Sequence, residues 1–147
     1  MFEIRNDIEI GGPVERVWEV LTGFDRFDEW NPVIRKVAGT LTVGKDVVIS
    51  VAAPTGHLDW NVAVVRIDPG REFAWTFSER HPWLYRGEHT FRLEAIDAHR
   101  TRYVDRETFH GLLVPIRKRR LGTTTKAGMV AMGEALKQRV EAGNRPV

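Results

Sequence analysis

The segment Phe2-Glu3-Ile4-Arg5-Asn6-Asp7-Ile8-Glu9-Ile10-Gly11-Gly12-Pro13-Val14-Glu15-Arg16-Val17-Trp18-Glu19-Val20-Leu21 changes its hydrophobic period once. Up to Ile10 the period is two. Phe2, Ile4, Ile8 and Ile10 share one face and Glu3, Arg5, Asp7 and Glu9 the other, as in a half-buried strand. Beyond Gly12-Pro13, the residues Val14, Val17, Trp18 and Leu21 recur at helical spacing, with Glu15, Arg16 and Glu19 outside. Proline at a first helical position is pre-organised for that change. Gly23 ends the helix. Asp25 is placed to cap a second, very short helix through Glu29, which Trp30-Asn31-Pro32 breaks because a residue before proline avoids the helical region.

From there to about residue 110 the chain reads as strands and turns. Val33–Ala38 is a weak strand, Val43-Gly44-Lys45-Asp46 a turn, and Val47, Ile49 and Val51 alternate up to the turn at Pro54-Thr55-Gly56. Leu58, Trp60, Val62 and Val64 alternate until the phase slips between Val65 and Ile67, where a bulge is expected. Asp68-Pro69-Gly70 turns the chain into Phe73, Trp75 and Phe77. Tyr85 to Leu93 and Tyr103 to Phe109 form a hairpin with its tip near Ala98 and His99, and Leu121 to Ala142 reads as one long helix. Hairpin-connected strands with helices at the ends define an α+β fold rather than repeated βαβ units.

The 147 residues fit one domain, 1–147, and 42% hydrophobic with 29% charged residues excludes a disordered or fibrous chain. The absence of cysteine removes disulfides, Cys-type zinc sites, thiolate nucleophiles and iron–sulfur ligation. Acidic residues near the start do not suit a signal peptide, and no apolar stretch approaches the ~18 residues of a membrane span, so a cytoplasmic location is expected. The net charge of +2 is too even to imply nucleic acid. Histidines 57, 81, 89, 99 and 110 show no metal-ligand spacing, Ser50 and Ser78 have no recognisable triad partners, and there is no Gly-rich phosphate loop. No metal and no cofactor is therefore expected; oligomeric state is left open.

Four segments resemble the helix-grip superfamily, which contains START-like lipid-binding domains, plant pathogenesis-related allergens and polyketide cyclase/dehydrase-type proteins. They are Ile10-Gly11-Gly12-Pro13-Val14-Glu15-Arg16-Val17-Trp18, the stretch Phe24 through Trp30-Asn31-Pro32, Gly87-Glu88-His89-Thr90-Phe91-Arg92-Leu93, and Glu107-Thr108-Phe109-His110-Gly111-Leu112-Leu113. Together they extend over nearly the whole chain. The resemblance implies a seven-stranded curved antiparallel sheet wrapped around the C-terminal helix, two short helices after the first strand, and a cavity between sheet and helix. Fold alone does not assign function.

If the sheet wraps the helix, the inward positions of the hairpin are Tyr85, Gly87, His89, Phe91 and Leu93, then Tyr103, Asp105, Glu107 and Phe109. A tip near Ala98 sets His89 opposite Glu107. That pair reads either as an acid–base couple or as a satisfied polar pair ordering the sheet. Trp60 and Trp75 share inward parity and read as cavity wall or as core, whereas Trp83, next to His81-Pro82, reads as a plain exposed loop aromatic or as one flanking a pocket mouth. On the last helix Leu121, Thr125, Met129, Met132, Leu136 and Val140 recur at intervals of three and four among Gly122, Gly128 and Gly133. This stripe suits either close packing or a ligand wall, and methionine supplies adaptable lining.

Tyr85, Phe91, Tyr103, Asp105, Phe109, Met129 and Met132 join Trp60 and Trp75 as candidate ligand-binding residues, with Glu107 and His89 as candidate catalytic ones. The leading expectation is binding of a hydrophobic or aromatic small molecule of lipid, polyketide or isoprenoid type. The alternatives are a cofactor-independent cyclase, dehydratase or isomerase using Glu107 and His89, and a protein- or membrane-docking module. For the last, the basic run Arg117-Lys118-Arg119-Arg120 is the candidate surface, although a solvated charge run is its simpler reading.

Overall fold

A computed structural model describes residues 1–143, so the last four residues of the expected 1–147 domain lie outside the described residues. Strands β1 (Phe2–Ile10), β2 (Ile34–Ala38), β3 (Asp46–Ala53), β4 (Gly56–Asp68), β5 (Glu72–Ser78), β6 (Arg86–Ala95) and β7 (Thr101–His110) build one antiparallel sheet in the order β1-β7-β6-β5-β4-β3-β2. The first two strands thus occupy opposite edges. Between them the chain passes through α1 (Val14–Thr22), a 3-10 turn (Phe24–Arg26) and α2 (Phe27–Trp30). The fold is α+β, of the helix-grip (START-like) type.

The details follow local chemistry. β1 buries Ile4 and Ile10 and exposes Glu3, Arg5, Asp7 and Glu9. The phase slip in β4 is a register shift between Val64 and Arg66. Asn31 is fully buried, and its Oδ1 accepts the N–H groups of Val33 and Ile34 at 2.9 Å each, turning the chain from α2 into β2. Asp25 is not a cap: Gly23 occupies that position before the 3-10 turn, without a side-chain cap bond, and Asp25 lies in the first turn itself.

The C-terminal helix begins earlier than its apolar period suggests. It runs through α3 (Val114–Arg120), a π-helical turn (Leu121–Thr125) and α4 (Lys126–Ala142). The basic run interrupts the apolar spacing without interrupting the backbone, and Pro115 in the first turn suits helix initiation. Among the described residues no helix is long and apolar enough to cross a membrane.

Two apolar clusters hold the layers together. One joins Ile10, Val17, Leu21, Phe73, Phe91 and Leu136; the other joins Ile4, Tyr85, Phe109, Val114 and Met129. Phe73 stacks on Phe91 at 4.6 Å between centroids, and Trp75 meets Phe91 edge-on at 5.0 Å. Each such fully buried side chain contributes roughly 1.5–3 kcal/mol. A Cβ on Gly133 would sit 3.4 Å from Asn6 Nδ2 and Ile8 Cγ2, so the missing side chain lets α4 lie directly on β1.

Candidate ligand cavity and its charged floor

The second apolar cluster does not fill the concave face. A cavity of about 460 Å³ remains between sheet and helix, within the usual range for a small-molecule site. Val33, Ile34, Ile49, Val51 and Trp60 line its β2–β4 side, and Leu121, Thr124, Thr125, Gly128, Met129 and Met132 its helical side. Phe77, Tyr85 and Phe109 flank His89, Asp105 and Glu107 on β5–β7. Three helical lining residues come from the π turn, whose wider i to i+5 ring often marks functional sites.

The structure divides the residues proposed from sequence. Trp60, Tyr85, His89, Asp105, Glu107, Phe109, Met129 and Met132 all face the cavity. Trp75, Phe91 and Tyr103 do not: they belong to the larger apolar cluster with Val17, Leu21 and Leu136. Parity gives the face of a strand but not what covers it, and α1 and the C-terminal half of α4 cover that end of the sheet. These three rings support the site from its buried side. Phe91 stacks on the His89 ring at 4.0 Å, Trp75 approaches it edge-on at 6.4 Å, and Tyr103 OH donates to Asp105 Oδ2 at 3.3 Å.

His89 and Glu107 are direct cross-strand partners, as the hairpin length requires. Their side chains are not the closest pair, however. His89 Nε2 lies 2.6 Å from Asp105 Oδ1, while His89 Nδ1 is 3.8 Å from Glu107 Oε1. Asp105 sits two residues before Glu107, on the same face and diagonal to His89, within reach of a long side chain. Its role as imidazole partner was the feature missed in the sequence, although shared parity carried the signal. The π turn carried no comparable sequence signal, whereas Ile49 and Val51 of the β3 wall share the alternation read from the sequence.

Side-chain exposure is 13% for His89, 1% for Asp105 and 12% for Glu107, so water screens their charges poorly. Burial pulls the His89 pKa down, but the charges of Asp105 and Glu107 and the Asp105 hydrogen bond outweigh it and lift the value to about 9. His89 is therefore an imidazolium at neutral pH, donating Nε2–H to Asp105 and turning Nδ1–H towards Glu107. Burial raises the Glu107 carboxyl above the ordinary range; the imidazolium opposes this and the Asp105 charge reinforces it. Burial also raises Tyr85, with help from Glu107 and against Arg117, to about 12, keeping its hydroxyl neutral. Arg117 lies over the Tyr85 ring at 4.6 Å and pairs with Glu79 at 2.5 Å.

This arrangement offers a hydrogen-bonded imidazolium and a second carboxyl of raised proton affinity at the floor of an apolar chamber. Such groups can bind a carbonyl or hydroxyl and can move a proton. No group of three His, Cys, Asp or Glu side chains among the described residues is arranged to hold a metal ion. The Ser50 hydroxyl donates to Asp59 rather than to an imidazole.

The fold has counterparts among solved structures. The chain is similar to the Zhui aromatase/cyclase from Streptomyces sp. R1128, with a TM-score of 0.79 and 21% identity over 98% of this chain and 96% of that one. It is similar to a START superfamily protein from Mycobacterium smegmatis, with a TM-score of 0.76 and 15% identity over 95% and 97% of the two chains. Against the di-domain aromatase/cyclase BexL of the BE-7585A biosynthetic pathway, the TM-score is 0.77 with 16% identity, 99% of this chain covering 48% of that one. At these identities the likeness is one of fold. No curated protein matches the chain. The family model described as "Polyketide cyclase / dehydrase and lipid transport" matches residues 1–143. On that match, across the sheet, the helix and the cavity between them, the chain belongs to the polyketide cyclase/dehydrase and lipid transport family.

Proposed function

We propose that the chain binds a hydrophobic, ring-bearing small molecule of lipid, polyketide or isoprenoid type between the sheet and α4. The observation that carries this reading is a chamber of about 460 Å³ with apolar walls and one charged floor. Trp60, Phe77, Met129 and Met132 present apolar surface to the body of such a molecule, and Glu107 and His89 face a carbonyl or hydroxyl at its end. Family membership supports the same class of ligand.

A second reading is favoured by the 2.6 Å bond from Asp105 to His89, which supplies the group that orients the imidazole. In that reading the site performs cofactor-independent cyclase or dehydratase chemistry. The Glu107 carboxylate takes a proton from the carbon next to a carbonyl, and the His89 Nδ1–H supports the negative charge developing on the carbonyl oxygen. In a dehydration, protonated Glu107 returns its proton to the departing hydroxyl, which leaves as water.

The test is native mass spectrometry of freshly purified protein together with fluorescence titration of a hydroxynaphthalene probe. Wild type is expected to retain a small molecule or to bind the probe saturably, and Met132→Trp to bind it at least about tenfold more weakly by occupying the chamber. Absence of both retained molecule and saturable binding, or unchanged binding in folded Met132→Trp, overturns the proposal.

A further inference from the structure

Outside the cavity, three large apolar side chains stand in solvent close together. Trp83 is 59% exposed, Leu112 68% and Ile116 79%. The backbone holds Trp83 and Leu112 side by side: Leu112 N–H donates to the Trp83 carbonyl at 3.1 Å, and Leu113 N–H to the Leu84 carbonyl at 3.0 Å. Gly111 permits this contact, since it adopts φ +124° and a Cβ there would run into the backbone of Leu84 and Tyr85. Ile116 stands in the first turn of α3, which begins two residues after Leu112, and opens the exposed stripe Ile116, Arg119, Arg120. The Trp83 ring stacks with His81 at 5.6 Å, which fixes it without covering it.

The charges beside these tips share one sign. Lys118, Arg119 and Arg120 are exposed and form no ion pair among the described residues, while Lys118 rests 5.4 Å from the centre of the Phe2 ring. The nearby carboxylate of Glu79 is already paired with Arg117. A nucleic-acid surface would use the cations and leave the apolar tips idle. Tryptophan and aliphatic tips beside unpaired lysine and arginine match the boundary of an anionic bilayer, where the rings enter the headgroup layer and the cations meet lipid phosphates.

We propose that the patch of Trp83, Leu112 and Ile116 with Lys118, Arg119 and Arg120 docks the protein peripherally on an anionic phospholipid surface. The patch adjoins the cavity through Tyr85, two residues after Trp83, and Leu121, one residue after Arg120; both line the chamber. Docking there sets the Tyr85–Leu121 end of the chamber towards the membrane.

The test is co-sedimentation of the full chain with vesicles of phosphatidylcholine alone or with about 30% phosphatidylserine, at ionic strengths from roughly 0.1 to 0.5 M. Binding is expected only to the anionic vesicles and to weaken with salt. Arg119→Glu with Arg120→Glu should lower the partition coefficient about tenfold or more, and Leu112→Ser with Ile116→Ser should lower it comparably at unchanged charge. All four side chains lie outside the cavity, so probe binding in the chamber should be unaffected and reports that the variants are folded. No binding to anionic vesicles overturns the proposal. Equal binding to neutral vesicles, loss confined to the charge variants, or preferential binding to RNA or an acidic protein also does so.

Discussion

His89 Nε2 and Asp105 Oδ1 lie 2.6 Å apart although the two residues are diagonal rather than opposed across the β6–β7 ladder. The directly opposed residue, Glu107, is left at 3.8 Å from the other ring nitrogen and faces the cavity. One carboxylate thus positions the imidazole, and the other is available to whatever enters the chamber.

Stability should depend on pH through this cluster. The His89 pKa rises from 6.5 to about 9 in the folded chain, so its contribution is fully present below about pH 6.5 and is lost as pH rises through about 9. The raised Glu107 carboxyl acts in the same direction, favouring the folded chain more at low pH. The thermal midpoint is expected to fall between pH 6.5 and 9, and His89→Gln to flatten that fall. A wild-type midpoint that stays constant, or a His89→Gln profile parallel to it, contradicts the assignment.

Glu107→Gln separates binding from proton transfer. The shape is preserved and only the proton-accepting charge is lost, so probe affinity should stay within about twofold, while any turnover should drop about 100-fold or more. Thermal stability at neutral pH should not decrease, because the raised carboxyl gains nothing from being ionised in the folded chain. Loss of affinity equal to the loss of turnover would assign Glu107 to ligand binding alone.

Gly87 is held by contact rather than by backbone conformation. A Cβ there would lie 2.8 Å from Phe77 Cε2 and 2.9 Å from Cε1, within a ring that lines the cavity. Gly87→Ala is expected to cost about 1–3 kcal/mol of stability, measured by urea unfolding, and to weaken probe binding by displacing Phe77. Unchanged stability would mean that the ring moves aside freely.

Gly128 should behave in the opposite way. Its added Cβ would meet only Val33 Cγ2 at 3.6 Å and Val33 Cγ1 at 3.8 Å, which is ordinary contact. Gly128→Ala should stabilise the helix by about 1 kcal/mol and leave the fold intact. Gly128→Leu should fill cavity space and weaken probe binding at least about fivefold, on the order of the 1 kcal/mol carried by a misplaced methylene or two. Full affinity in folded Gly128→Leu would remove this glycine from the wall.

Much of this architecture was legible because strand parity and hairpin length are local properties. The change of period at Gly12-Pro13 gave β1 and α1, and the centre near Ala98 gave the His89–Glu107 register. What the period could not show was depth. Trp60 and Trp75 have the same parity, yet one lines the chamber and the other is enclosed with Val17 and Leu136, because the helices cover only part of the concave face. Nor could side-chain reach be read from pairing, since the Asp105 carboxylate crosses the ladder diagonally. The start of the C-terminal helix was hidden by the charges of residues 117–120.

The sheet order places the polar floor and the β2–β3 part of the apolar wall on different halves of the sheet. His89, Asp105 and Glu107 stand on β6 and β7 in the interior of the sheet, whereas Ile34, Ile49 and Val51 stand on β2 and β3 at the β2 edge. Two strands, β5 and β4, separate β3 from β6, so side chains on β2 and β3 can be exchanged while the β6–β7 pairing stays in register. The shape of the apolar wall and the charge of the floor are therefore separable in this scaffold. A library randomising positions 34, 49 and 51 would reshape the chamber without disturbing the contacts of His89 with Asp105 and Glu107.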